Sequence, residues 1–251
     1  PNYNFTKEQM LERKKVLKNK VEHIKFRDLK NTNELIEAYS KSSFQARKIG
    51  EGAKLYKKEL NRGTTIIWSL AGSIFSAGLR ELVIDSVRKN LVDCLVCTGA
   101  LFEQDMLEAL GYNHYVQTEE IEDKTLQNLL IDRIYDHLLD EIELQHVDET
   151  YKKIAKQMDS GNYSSREFME YCGKWLSNVK DANDSVILAA YEMNVPIFIP
   201  AINDCSIGIG LAMNQSEVKN GISIDSIKDL REIAKMKDPV SYTHLRAHET
   251  I

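Results

Sequence analysis

The sequence lacks the features that would place it with membrane or nucleic-acid-binding proteins. Its longest run without a charged residue, residues 63–79, is shorter than the ~20 apolar residues of a spanning helix, and small residues interrupt it. We see no secretory signal pattern in it. The net charge of −5 argues against nucleic acid as the main partner. We therefore expect no membrane segment and no nucleic-acid partner.

Cysteine is scarce, with four residues in 251. Cys94 and Cys97 have the spacing of half a metal site, but they fall in a predicted strand, where residues three apart point to opposite faces. We therefore expect no metal site and interpret the cysteines as small buried side chains. Reduced thiols are typical of the cytoplasm, which is the predicted location.

Three short apolar runs are each followed by small or polar residues and then by a helical pattern. The runs are residues 64–71, 92–97 and 195–200, and the segments after them are residues 72–78, 98–105 and 203–208. Such runs favour strands that are buried on both faces, as in a parallel sheet. Because the carboxyl ends of parallel strands share one edge of an α/β sheet, we expect the three loops to form a ligand site there. Neither a GxGxxG fingerprint nor a Walker A sequence occurs in them, so the pattern gives a location without a chemistry.

The second loop leads into a predicted helix with Phe102, Met106, Leu107 and Leu110 on one face. The polar residues 103–105 fall in its first turn. Acidic residues are favoured at helix N-termini for electrostatic reasons alone, so this turn by itself leaves a structural and a functional interpretation open.

The remaining pattern predicts further elements. Helices are expected over residues 5–20, 34–49, 52–60, 79–87, 124–139, 141–158, 164–175, 185–193 and 225–236, strands over 114–116 and 221–224, and a linker at 160–162. In the helix after the first loop, Leu79, Leu82, Val83 and Val87 should share the buried face.

Four stretches taken together resemble deoxyhypusine synthase and its relatives. They are residues 70–83, 91–110, 195–208 and 221–233, in the order of the family, and the resemblance covers most of residues 31–237. It is specific because several spaced motifs agree at once, and it points to the bacterial and archaeal deoxyhypusine synthase-like branch. It implies an α/β fold with a Rossmann-like, doubly wound, mostly parallel sheet and N-terminal helices. Residues 1–30 would form a helical extension, and residues 31–238 an NAD-binding domain that is incomplete at its C-terminus.

The resemblance also implies an activity. Family members use NAD to oxidise spermidine, an enzyme lysine captures the resulting imine, and the aminobutyl group passes to a lysine of the hypusine-bearing translation factor. They are homotetramers with sites at subunit interfaces. Two alternatives remain open: a homospermidine synthase-like enzyme with putrescine as acceptor, and a non-catalytic regulatory paralogue.

The family's site residues carry over unevenly. By resemblance, the NAD-binding positions are Gly72, Ser73, Ile74, Phe75, Ser76, Thr98, Gly99, Ala100, Gln104 and Asp204, and the substrate-binding positions are Glu103, Ser206 and Ile209. Gln104 replaces a second glutamate of the family, and Ile209 stands where the eukaryotic enzymes have a substrate-binding aspartate. We expect these two departures to weaken the binding of a cationic amine.

The last residues form a separate segment. Residues 240–250 read VSYTHLRAHET, which is the translation of a transposase sequencing adapter, so we predict that residues 239–251 are not native. His244 and His248 are therefore not counted as ligands. The segment that carries the nucleophilic lysine is expected beyond Asp238, and we predict that the chain as printed forms no enzyme–imine.

Overall fold

The computed structural model describes residues 4–236. These residues divide into two compact units between Thr64 and Thr65. The division predicted at residues 30 and 31 follows the family resemblance and stays a prediction. The adapter-like segment lies outside the described residues.

The first unit is helical. It contains α1 (Lys7–Val16), a short 3₁₀ turn (Phe26–Asp28), α2 (Thr32–Tyr39) and α3 (Phe44–Arg62). The Asn31 side chain caps α2 by accepting from the Glu34 amide at 3.0 Å.

The prediction of two separate helices over residues 34–49 and 52–60, with a break at Gly50, is wrong. One helix, α3, continues through Gly50, and the interruption falls earlier, at residues 40–43. A Cβ on Gly50 would lie 2.4 Å from the Ser40 backbone nitrogen. The glycine therefore allows α3 to approach the end of α2, and the helix ends instead at Gly63, which has a left-handed φ of 71°.

The second unit is an α/β structure, as predicted. In chain order it contains β1 (Ile67–Leu70), a wide helical turn (Phe75–Leu79), α4 (Arg80–Arg88), β2 (Cys94–Cys97), α5 (Gly99–Ala109), β3 (Tyr115–Val116), α6 (Asp123–Asn128), β4 (Ile131–Ile134), β5 (His137–Asp140), α7 (Glu141–Lys156), β6 (Gly161–Tyr163), α8 (Ser165–Leu176), α9 (Val186–Glu192), β7 (Ile197–Phe198), α10 (Ser206–Glu217), β8 (Ile222–Ile224) and α11 (Ser226–Lys235). Strands β1, β2 and β7 form a parallel sheet in that order. Their carboxyl ends therefore lie at one edge, as the sequence predicted.

The central strand β2 is buried on both faces, which confirms the interpretation of the cysteines. Cys97 belongs to the main core, whereas Cys94 packs with Phe198 and Met236 in a separate cluster. Both are free thiols, so the two cysteines of the CxxC spacing form no disulfide bond. Among residues 4–236, no group of three or more histidine, cysteine or acidic side chains could hold a metal ion.

The helix predicted over residues 124–139 is wrong beyond its first turns. After α6 the chain forms the antiparallel hairpin of β4 and β5, and β3 joins β5 on the other side. Leu130 and Tyr135 have positive φ angles of 56° and 58°. Two left-handed residues so close together cannot continue a right-handed helix. The apolar residues that fit a helical spacing are divided among separate elements, with Leu126 in α6, Ile134 in β4 and Leu138 in β5.

Two smaller expectations also fail. Residues 161–163 of the predicted linker region form β6, which pairs in parallel with β8 in a separate two-stranded sheet. Leu79, just before α4, and Leu82 are exposed, and the buried face of α4 carries Val83, Ile84 and Val87 with Arg80. No helix within the described part of the chain is long and apolar enough to span a bilayer.

Candidate functional site

The three loops that follow β1, β2 and β7 contact one another. The Thr98 amide donates to the Leu70 carbonyl at 3.2 Å, which joins the ends of β1 and β2. A Cβ on Gly99 would lie 2.2 Å from the Cys205 sulfur, so the second and third loops touch at that glycine. The site residues inferred from sequence are therefore gathered at one edge of the parallel sheet.

Three consecutive polar side chains in the first turns of α5 contact the start of α10, the first loop and α4. A carboxylate oxygen of Glu103 accepts from the Ser206 amide at 2.9 Å. The Gln104 Oε1 atom accepts from the Ser76 amide at 3.2 Å. Asp105 accepts from the Arg80 guanidinium at 2.7 Å. Successive residues of a helix point about 100° apart, so each side chain reaches a different neighbour.

Asp105 has a structural role. It is fully buried, and besides pairing with Arg80 it accepts from the Val186 and Ile187 amides at the start of α9. A buried carboxylate that is paired and fully hydrogen-bonded holds α4, α5 and α9 together.

Glu103, by contrast, forms no ion pair with a lysine or arginine among residues 4–236. Burial raises the pKa of its carboxyl group, and the Ser206 amide and hydroxyl partly offset this effect. The negative charges of Asp148 and Asp204 raise that pKa further. Glu103 is thus a half-buried carboxylate beside other carboxylates and without a cation, an arrangement that attracts a positively charged ligand.

Asp148 is a site residue that sequence analysis missed. It lies on α7, and burial raises its pKa while contact with the Ser206 hydroxyl lowers it. Ser206 is therefore next to both Glu103 and Asp148. In the sequence Asp148 is one acidic residue of an acidic helix, and only the packing of α7 on α10 brings it to Ser206.

The positions assigned to NAD by resemblance follow the edge of the sheet. Gly72 has a φ of 81°, and a side chain there would meet nothing within 4 Å. Ser73, Ile74 and Ala100 are half-buried, and Thr98 is exposed. Phe75 differs, because its ring packs in the core edge-on to Phe102, with centroids 6.3 Å apart. Its side chain is therefore part of the core and not of a ligand surface.

Two polar atoms between the first loop and α5 have no hydrogen-bond partner. They are the Ser76 hydroxyl oxygen and the Gln104 Nε2 atom, and both are buried. Buried polar atoms without partners are rare in proteins. Together with the open backbone at Gly72, they fit a polar cofactor such as a dinucleotide.

The two remaining positions lie at the rim of the site. Asp204 is exposed, but it is close enough to Glu103 to raise the pKa of that carboxyl. Ile209 is 51% exposed, one turn into α10 beyond Ser206.

The fold and the site define a class. This is an α/β protein whose ligand site lies at the carboxyl edge of a parallel sheet and carries carboxylates that no cation of the described chain balances. The family profile described as deoxyhypusine synthase matches residues 34–241, most of the chain. The chain belongs to the deoxyhypusine synthase family.

Curated relatives come from bacteria and archaea. The "Deoxyhypusine synthase-like protein" of Chlorobaculum parvum is 40% identical over 233 residues, which are 92% of this chain and 66% of the relative. That of Elusimicrobium minutum is 38% identical, over 86% of this chain and 59% of the relative. "Probable deoxyhypusine synthase 2" of Methanosarcina acetivorans is 38% identical, over 83% and 61%. The chain thus spans about two thirds of the length of the curated relatives that it matches.

A solved structure agrees with this fold. The "Crystal Structure of a putative deoxyhypusine synthase from Entamoeba histolytica" is similar with a TM-score of 0.63 at 18% identity, and the match covers 88% of this chain and 76% of that one. This likeness supports the Rossmann-like α/β fold.

Proposed function

We propose that this chain is part of an NAD-dependent transferase that removes the aminobutyl group of spermidine. The observation that carries the proposal is Glu103, a half-buried carboxylate without a cationic partner among the described residues, where three loops meet. Spermidine is a polycation, and a buried carboxylate is the group that binds one of its ammonium nitrogens most strongly. The family membership of the chain supports the same chemistry.

The residues of this chain would bind and orient the amine. Glu103 is held by the Ser206 amide, which fixes one carboxylate oxygen beside the position where an ammonium group would bind. Burial of the site reduces competition from water for that charge and shields a reactive carbon–nitrogen double bond from hydrolysis. Gly72–Ser76, Thr98–Ala100, Gln104 and Asp204 would hold NAD, which supplies the hydride acceptor when it is bound.

We propose a lysine of the hypusine-bearing translation factor as acceptor, since the relatives carry the name of that synthase. Homospermidine synthase-like chemistry, with putrescine as acceptor, uses the same donor site. The homotetramer, the cytoplasmic location and the inactivity of the printed chain stay predictions.

Titration calorimetry with spermidine and with NAD on the printed chain tests the donor site. We expect both to bind at pH 8. Glu103→Gln should weaken spermidine about tenfold or more, because a charge-assisted hydrogen bond contributes about 1.5–3 kcal/mol. NAD affinity should change little, since Glu103 faces Ser206 and the acidic side chains.

Asp85→Asn is the matched control. It removes one negative charge from an exposed pair with Lys89 on α4 and should leave both affinities unchanged. Absence of spermidine binding to the wild-type chain, or equal binding by Glu103→Gln, would contradict the proposal.

A further inference from the structure

We propose that Asp148 is a second amine-binding carboxylate, which faces Glu103 across Ser206 and supplies the negative charge that Ile209 does not. This inference rests on the proposed spermidine site and extends it. It assigns the cation-binding role to α7, an element that contains none of the stretches on which the resemblance was based.

Asp148 is held in place by the packing of the helix that carries it. Helix α7 packs on α10 at Gly210, where a Cβ would lie 2.6 Å from the Asp148 carbonyl oxygen and 2.9 Å from the Tyr151 Cβ. The Tyr151 hydroxyl donates to the Phe102 carbonyl at 2.8 Å, next to Glu103 in α5. These contacts fix α7 against both helices that carry the amine site.

The carboxylate of Asp148 lacks part of its hydrogen bonding. Its Oδ1 atom is buried without a hydrogen-bond partner, and Asp148 forms no ion pair within the described part of the chain. Lys152, one turn further along α7, is committed to Glu149 at 3.2 Å and to Glu217 at 2.6 Å. The groups that face Asp148 are the Ser206 hydroxyl and the like charges of Glu141 and Glu149.

A second polar atom without a partner lies in α5, next to Glu103 in the sequence. Gln104, the residue after Glu103, is only 3% exposed, and its Nε2 atom has no partner. Leaving a buried donor or acceptor unpaired is unfavourable. Gln104 meets the Ser76 amide of the first loop, so its unpaired atom lies with the proposed NAD positions. The unpaired Oδ1 atom belongs to Asp148, which contacts Ser206, and an ammonium group there would satisfy it.

The first turns of α10 contribute no negative charge to the amine site. Ile209 is exposed at the rim and carries no charge, so the first turns of α10 supply a hydroxyl from Ser206 but no carboxylate. Glu103 and Asp148 are close enough for the charge of Asp148 to raise the pKa of Glu103. An ammonium group between them would neutralise this repulsion and donate hydrogen bonds to carboxylates on two helices.

The test measures spermidine binding by titration calorimetry from pH 5 to 9, for the wild-type chain and for variants. Asp148→Asn should weaken binding about tenfold at pH 8, because it removes one charge-assisted hydrogen bond. Glu149→Gln removes the same charge from the same helix and should change the affinity less than twofold. In the Asp148→Asn background, Ile209→Asp should restore much of the loss.

The pH profile separates a binding role from a structural one. Both carboxyls have raised pKa values, so the wild-type affinity should increase with pH as two groups ionise. In Asp148→Asn, only Glu103 is left to ionise. The slope of the logarithm of the affinity against pH should therefore decrease by about one, the contribution of one proton. Thermal unfolding of each variant checks that the fold is kept.

The outcomes distinguish this inference from the function on which it rests. If the wild-type chain binds no spermidine, both are wrong. If Glu103→Gln weakens binding while Asp148→Asn behaves like Glu149→Gln, the donor site stands and the role of Asp148 is refuted. A tenfold loss with an unchanged pH slope would also refute it.

Discussion

At the scale of single residues, three adjacent polar side chains of α5 have three different partners. Glu103 meets Ser206, Gln104 meets Ser76, and Asp105 meets Arg80. By residue type, Glu103 and Asp105 are alike, yet Asp105 is paired and fully buried, whereas Glu103 has no cation beside it in the described chain. The difference between a structural and a binding carboxylate is therefore set by the partner that each one meets.

This difference predicts opposite effects on stability. Asp105→Asn should lower the free energy of unfolding by about 3 kcal/mol, because it leaves the Arg80 charge buried without its partner. Glu103→Gln should leave the stability unchanged or raise it. The raised pKa of Glu103 means that the folded state loses stability as pH rises through that pKa, so the benefit of glutamine should be present at pH 8 and vanish below pH 4.

Urea unfolding of both variants at pH 8 and at pH 4 measures these changes. Equal losses for Asp105→Asn and Glu103→Gln at pH 8 would show that the two carboxylates do not differ as described.

At the scale of elements, close contact between loops and helices decides where the site forms. Gly99 and Gly210 are the contact points at which a side chain would intrude, on Cys205 in one case and on α7 in the other. The sequence showed Gly99 as a small residue after a strand, which suited a loop near a ligand. The structure shows that it also admits the third loop.

Gly99→Ala should therefore disturb the site. The new Cβ would lie 2.2 Å from the Cys205 sulfur, so the third loop must shift, and we expect a loss of about 1–3 kcal/mol in unfolding free energy. NAD affinity should fall as well, because the loops on either side of the contact are proposed to hold it. Adding Cys205→Ala should recover part of both losses, since the sulfur is the nearest atom.

Gly52→Ala is the control for the change in residue type. Gly52 lies in α3 with nothing within 4 Å of its missing Cβ, so alanine there should stabilise by about 1 kcal/mol. Thermal unfolding and NAD titration measure both variants, and a stabilised Gly99→Ala protein with normal NAD affinity would contradict the contact described.

At the scale of the whole molecule, the four thiols lie in different environments of the second unit. Cys97 and Cys172 lie in the main core, Cys94 lies in the small cluster on the other face of β2, and Cys205 is half-buried at the loop contact. Burial raises the pKa of every one of them, to about 12 for Cys94 and Cys97 and about 11 for Cys205. Low thiolate content and burial both slow alkylation.

The order of labelling in the native protein should follow this arrangement. Cys205 should react first, Cys94 next, and Cys97 and Cys172 last and at matching rates, because exposing the main core requires global unfolding. Alkylation at pH 8 followed by peptide mass spectrometry measures the order. Earlier labelling of Cys172 than of Cys205 would show that the core assignment is wrong.

The sequence alone determined the parallel strands, the convergence of their loops and the family, because apolar runs and spaced motifs are local properties. It misplaced the hairpin of β4 and β5, because the apolar residues of this stretch fit a helical spacing and the left-handed backbone at Leu130 and Tyr135 is not visible in the sequence. Only tertiary structure decided that Asp105 is structural and that Asp148 reaches Ser206. Both facts depend on contacts between helices that are distant in the sequence. For Asp148, the contact forms because α7 packs on α10 at Gly210, 62 positions further along the chain.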